Sequence, residues 1–183
     1  MSRIPLPATV QDTPTAAHAG LEAVHKKLGV VPNMFRLIAT SPAALEGYLA
    51  MSGALAKSGI TPAVAERIAL AVAEVDRCGY CLSAHTYLAR NLAKLDDAEI
   101  TANRSGASND PKTDAAIRFA AKVARERGHV DEDDLKAVKA AGWSDAQMVE
   151  IVQHVALNFW TNTFNEVFKT DIDFPVVTAR ETV

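Results

Sequence analysis

Cys78 and Cys81 are the only cysteines in the 183-residue chain, and His85 follows the second by four positions. A Cys-x2-Cys pair at the start of a helix brings its Cα atoms to about 5–6 Å, inside the range a disulfide can bridge. The pair could then open and close without refolding, which is redox chemistry. His85 is i+4 from Cys81 and i+7 from Cys78, so a helix over this stretch presents all three on one face. A histidine so placed offers either a cation beside a thiolate or a base for the thiol proton.

Helix position alone does not activate such a thiol. Lowering its pKa from about 8.5 to about 6 takes roughly 3 kcal/mol, whereas a helix N-terminus contributes about 0.3–1 kcal/mol and about 2 in good geometry. Another group must help, and His85 is the nearest. Histidine is a better base when a carboxylate fixes its tautomer. Glu66 lies twelve positions before Cys78. In one continuous helix that is about 18 Å, beyond contact. Asp76-Arg77 interrupts the helix, however, and a hairpin around residue 77 brings Glu66 and His85 to similar height. Glu66 also sits on or beside an apolar face, where an unpaired carboxylate is costly. Glu74, nearer the turn, is the competing partner.

The elements that must hold these residues are punctuated clearly. Thr13-Pro14, Ser41-Pro42 and Thr61-Pro62 each pair an N-cap hydroxyl with proline at the first helical position, and Gly29 and Gly59 read as left-handed caps. Helices are expected near 14–28, 33–39, 42–57 and 62–75. The last of these carries Val64, Ile68, Ala71, Val72 and Val75 on one face. A helix follows from about Cys78 to Asn91 with Asp76 as its N-cap, then a short one from Asp96-Asp97. After a loop at 104–111, helices run from Asp110-Pro111 to about 127, from Asp131 to about 142, and over about 145–168 behind a Ser144/Gln147 capping box. No segment alternates with period two between turn signals, so the chain reads as all-α, about two thirds helical. Residues 1–12 form an extended arm on the body or on a neighbouring subunit, 13–168 one domain, and 169–183 an extended tail with Phe174 as a possible anchor.

Composition bounds the function. With 49% apolar and 22% charged residues, the chain builds one ordinary core. A net charge of −3 and a pI near 5.9 give no reason to expect nucleic acid or an anionic membrane. No apolar run reaches the roughly 18 residues of a membrane helix, and the N-terminus lacks the apolar core of a secretion signal. A cytoplasmic protein is expected, and there two cysteines favour redox, catalytic or metal roles over a structural crosslink.

Glu66, Cys78, Cys81 and His85 together spell Glu-x11-Cys-x2-Cys-x3-His. This resembles the signature of the alkyl hydroperoxidase D-like branch of the carboxymuconolactone decarboxylase superfamily. The resemblance runs from about residue 32 to 175, including the Asn-rich last helix and Asp173-Phe174-Pro175. It implies the hydroperoxidase D-like helical bundle, in a trimer, hexamer or other homo-oligomer. It also implies reduction of a hydroperoxide by the dithiol, with re-reduction by an external thiol or dihydrolipoyl-type donor and no metal or organic cofactor. By this resemblance Cys81 is the attacking thiolate, Cys78 the more exposed resolving partner, and Glu66 with His85 the proton relay. Tyr80 stands where the best-known peroxidase of the family has a second histidine.

Other readings compete. The cysteines could be buried small hydrophobes, or zinc ligands with His85 and Glu66, although one helix face is a cramped source of three tetrahedral ligands. A thiol–disulfide oxidoreductase without peroxidase activity, or a lactone-decarboxylase-like relative, would keep the fold. Covalent haem is excluded, because Leu82 rather than histidine follows Cys81. His154, Asn158, Thr161, Asn162 and Asn165 form a polar stripe on the last helix, either a channel or interface lining or a solvated face. Trp143, Phe159 and Trp160 read as core or oligomer contacts.

Overall fold

The computed structural model describes residues 1–181; Thr182 and Val183 of the expected tail lie outside it. Nine α-helices and two 3-10 turns, with no strand among the described residues, make the chain 66% helical. The α-helices are α1 (His18–Leu28), α2 (Asn33–Ile38), α3 (Pro42–Leu55), α4 (Pro62–Val75), α5 (Gly79–Asn91), α6 (Asp97–Arg104), α7 (Pro111–Arg125), α8 (Glu132–Ala140) and α9 (Asp145–Phe168).

The bundle is built around α4, which packs against α5, α6, α7 and α9. Val64, Ile68, Ala71 and Val72 face a core shared with Ala116, Ile117, Ala120, Ile151 and Val155. Ala69, Leu70 and Ala73 are buried as well, so α4 is covered on more than the one face its amphipathic pattern predicts. Leu70 packs instead with Ala89, Leu95 and Ile100, and Ala73 with the residues around the cysteines. Alanines on these other faces let helices approach closely. A separate N-terminal core joins Leu21, Val24, Phe35, Ile38 and Leu45.

Helix caps explain most boundaries. Ser41, Thr61, Asp110 and Ser144 each accept a hydrogen bond from the backbone three residues on, satisfying donors that a helix start leaves open. Gly29 ends α1 at φ 78°. Three expectations fail locally. Thr13 does not cap a helix: its hydroxyl donates back to the Val10 carbonyl at 2.6 Å, closing a 3-10 turn. Gly59 is not a left-handed cap, because α3 already ends at Leu55. Its place is set by close approach, since a Cβ there would meet Gln147 and Glu150 at 3.2 Å. Asp76 is the C-cap of α4, not the N-cap of α5; Cys78 itself takes that position.

Both chain ends lie on the body. The arm donates from the Arg3 amide to the Phe168 carbonyl at 2.7 Å and from the Ser2 region meets Asp171. Arg36 reaches the Ala8 carbonyl at 2.6 Å. The tail is fixed by Asn33, whose side chain donates to the Asp171 carbonyl at 2.9 Å, and by Phe174, Val177 and Ala179, which pack on the first turn of α5. The loop after α6 is pinned by Glu99. That carboxylate takes hydrogen bonds from Ser108, the Asn109 amide, Asn103 and Arg67. Burial alone would raise its pKa, but these donors hold it at about 2.

Candidate active site

The turn between α4 and α5 is a Schellman turn with arginine in the left-handed position. The Cys78 amide donates to the Ala73 carbonyl at 3.0 Å and the Arg77 amide to the Glu74 carbonyl at 3.1 Å, with Arg77 at φ 55°. The turn reverses the chain at residue 77, as the interrupted pattern predicts. Across it, His85 Nδ1 and Glu66 Oε2 are 2.9 Å apart, and each side chain is 22% exposed. Glu74, the rival carboxylate, is taken by Arg104 at 2.6 Å and by the Arg180 amide at 2.6 Å.

Cys78 ends the turn and begins α5. Its sulfur accepts the Cys81 amide at 3.2 Å, the bond a serine or aspartate makes at an N-cap, and it therefore sits where the helix dipole favours negative charge. The two sulfurs are 2.6 Å apart as free thiols, so closing the disulfide requires no backbone rearrangement. The expectation that Cys78 is the more exposed partner does not hold. It is 0% exposed and Cys81 3%, because the tail residues Phe174, Val177 and Ala179 pack against their cluster. Burial, reinforced by Cys78, pushes the Cys81 thiol well above its ordinary value, and Asn165 opposes the shift.

Tyr80 fastens this cover. Its hydroxyl donates to Asp173 at 2.8 Å and accepts the Met34 amide at 3.1 Å, while the other Asp173 oxygen takes the Asn33 amide at 2.8 Å. Burial raises the Tyr80 pKa far above its ordinary range, so its proton stays in place. Ser83 adds a second tie by accepting the Val177 amide at 2.9 Å.

The polar stripe of α9 is not a solvated face. His154, Asn158, Thr161, Asn162 and Asn165 are all buried, while Val149, Val152, Phe159 and Trp160 point outward. Asn162 donates to Asp76 at 2.7 Å, and Asn165 Nδ2 lies 3.3 Å from both Cys81 Sγ and Met34 Sδ. Asp76 and Asn162 line an open cavity of about 370 Å³ with Arg3, Thr163, Glu166 and Val167. His154 Nε2 is buried without a hydrogen-bond partner; burial lowers its pKa, against the pull of Glu150 and Glu66. The stripe reading named Asn165 as a channel-lining candidate but not its contact with Cys81, and Asp76 was expected only as a helix cap. The signal available was the inverted polarity of α9, polar where a helix packs inward. Trp143 belongs to the core, its indole donating to the Lys112 carbonyl at 2.9 Å, and Trp160 stacks on Tyr48. Zinc requires the four side chains to converge, yet among the described residues no group of three or more His, Cys, Asp or Glu is placed to hold a metal. No helix among them is long and apolar enough to cross a membrane.

Comparison with known proteins gives the same outline. The carboxymuconolactone decarboxylase family profile matches residues 42–126, from α3 through α7. A peroxidase-related protein with an alkylhydroperoxidase core from Ralstonia eutropha superposes with a TM-score of 0.83 at 25% identity, covering 94% of this chain and 92% of its own. A peroxidase-related protein from Silicibacter sp. follows at 0.80 and 24%, covering 93% and 91%. The debrominase Bmp8, in complex with a tribromopyrrole, shares the fold at 0.79 and 18%, covering 94% of each chain. No curated protein sequence matches the chain. Residues 42–126 thus carry the pattern of the carboxymuconolactone decarboxylase family, and the chain as a whole has the alkyl hydroperoxidase D-like helical fold of these structures.

Proposed function

We propose that the protein is a dithiol hydroperoxide reductase serving antioxidant defence in the cytoplasm. The observation that carries this reading is the pairing of an apposed Cys78–Cys81 dithiol with a Glu66–His85 ion pair across one helical hairpin. The sulfur of Cys81, deprotonated, attacks the terminal oxygen of the hydroperoxide. The O–O bond breaks, the alcohol leaves with a proton delivered by His85, and Cys81 becomes a sulfenic acid. The Cys78 sulfur then attacks Cys81, forming the disulfide while the hydroxyl leaves as water with the Cys78 proton. An external dithiol of dihydrolipoyl type reduces the disulfide by exchange and is itself oxidised. Glu66 holds the His85 tautomer and stabilises its protonated form.

The peroxidase-related names of the relatives support this reading. Because both sulfurs are covered, the external thiol reaches them only when the tail over α5 lifts. The outward apolar side chains of α9, Val149, Val152, Phe159 and Trp160, suit contact with further copies of the chain in a homo-oligomer. Replacing Cys81 by serine tests the assignment: peroxide-dependent oxidation of a dithiol should stop, and undiminished turnover in Cys81→Ser overturns it.

A further inference from the structure

The geometry points to Asn165 as the positioning residue that makes Cys81 a usable nucleophile, donating its amide N–H to the sulfur as negative charge collects there. This rests on the proposed role of Cys81 as the attacking sulfur. Cys81 lacks the advantage Cys78 enjoys, because its own amide is given to the Cys78 sulfur. The titratable groups that bear on it are Asp76 at the end of α4, Cys78 and Tyr80 on α5, and Tyr48 on α3. All four are acids, and the ionisation of any of them opposes a negative charge on Cys81. His85 is held by Glu66 through Nδ1. From α9, the side chain aimed at the sulfur is neutral and carries a donor: Asn165 Nδ2 at 3.3 Å.

Two observations fix the sense of that contact. The same Nδ2 faces Met34 Sδ at 3.3 Å, and a thioether can only accept, so the NH2 end of the amide is the end turned to the sulfurs. Asn165 is 2% exposed and its Oδ1 has no partner. A buried amide left half satisfied is costly where leucine would pack without penalty. A donor to a developing thiolate accounts for that cost. A hydrogen bond to a charged group is about twice as strong as a neutral one, so the contact tightens as the thiol ionises.

The test is an ultraviolet thiolate titration in a Cys78→Ser background, which leaves one thiol. Asn165→Leu should raise the apparent Cys81 pKa by about one unit, reducing the thiolate fraction at neutral pH about tenfold. Asn165→Asp, which keeps the shape but places an acid beside the sulfur, should raise it further. A folded Asn165→Leu or Asn165→Asp protein with an unchanged titration overturns the assignment; if the leucine variant does not fold, the aspartate variant decides. The peroxidase reading fails separately. Wild-type protein inert to hydroperoxide, with the titration still shifted in the variants, removes the turnover claim and leaves the donor in place.

Discussion

The two halves of the site stand in different solvents. Glu66 and His85 are each 22% exposed, whereas Cys78 and Cys81 are sealed at 0% and 3%. The pair that would move protons is open to water; the pair that would change oxidation state is dry. Such a division lets a histidine exchange protons with solvent while burial slows the over-oxidation of a sulfenic acid. It also means that the sulfurs depend on protein donors rather than water. Cys78 takes the helix amide, and Cys81 takes the Asn165 amide beside its contact with the Cys78 thiol.

The largest expected effect breaks the open half. Glu66→Gln leaves His85 without its carboxylate, and peroxide turnover should fall about a hundredfold while the thiolate titration barely moves. Steady-state rates beside that titration check it; unchanged turnover would deny Glu66 a part in proton transfer. Next comes the seal on the dry half. Asp173→Ala removes bonds to Tyr80 and Asn33, so exchange of the dithiol with an aromatic disulfide reagent should quicken about tenfold, with a loss of about 2 kcal/mol in denaturant unfolding. An unchanged exchange rate in the folded variant would show that the tail does not limit access.

The comparison also has a pH signature. Because burial raises the Cys81 pKa above its value of 9.0 in the unfolded chain, the stability it confers is complete below about pH 9 and is lost as pH rises further. His154 has the opposite sign. Burial lowers its pKa below 6.5, so its share is present above that value and is lost as pH falls. Denaturant midpoints should therefore drop at both ends, with Cys81→Ser flattening the alkaline limb and His154→Gln the acid limb. The smallest effect is expected from Ser83→Ala, which gives up the tie to Val177 and should lower stability by about 1 kcal/mol.

All four side chains of the site were legible in the sequence, but the burial of the dithiol was not. Glu66 and His85 are nineteen residues apart on adjoining helices, and the break at Asp76-Arg77 with helical periodicity suffices to bring them level. Helix starts at Ser41, Thr61, Asp110 and Ser144 were readable because capping is local chemistry. Asn165 reaches Cys81 across 84 positions, and Asp173 reaches Tyr80 across 93. No local rule carries that information, so the exposure expected of Cys78 was wrong for a reason lying in the tail. The polar stripe of α9 was visible, but which way it faced depended on α4, α5 and α3 packing against it.

The central claim is that Cys78 and Cys81 act together on a hydroperoxide. Free thiols counted under denaturing conditions, before and after one equivalent of an organic hydroperoxide, test it most directly. The count should fall from two per chain to none, with both recovered by a dithiol reductant. A count that stays at two, or a loss of thiols that Cys81→Ser does not prevent, would contradict the account.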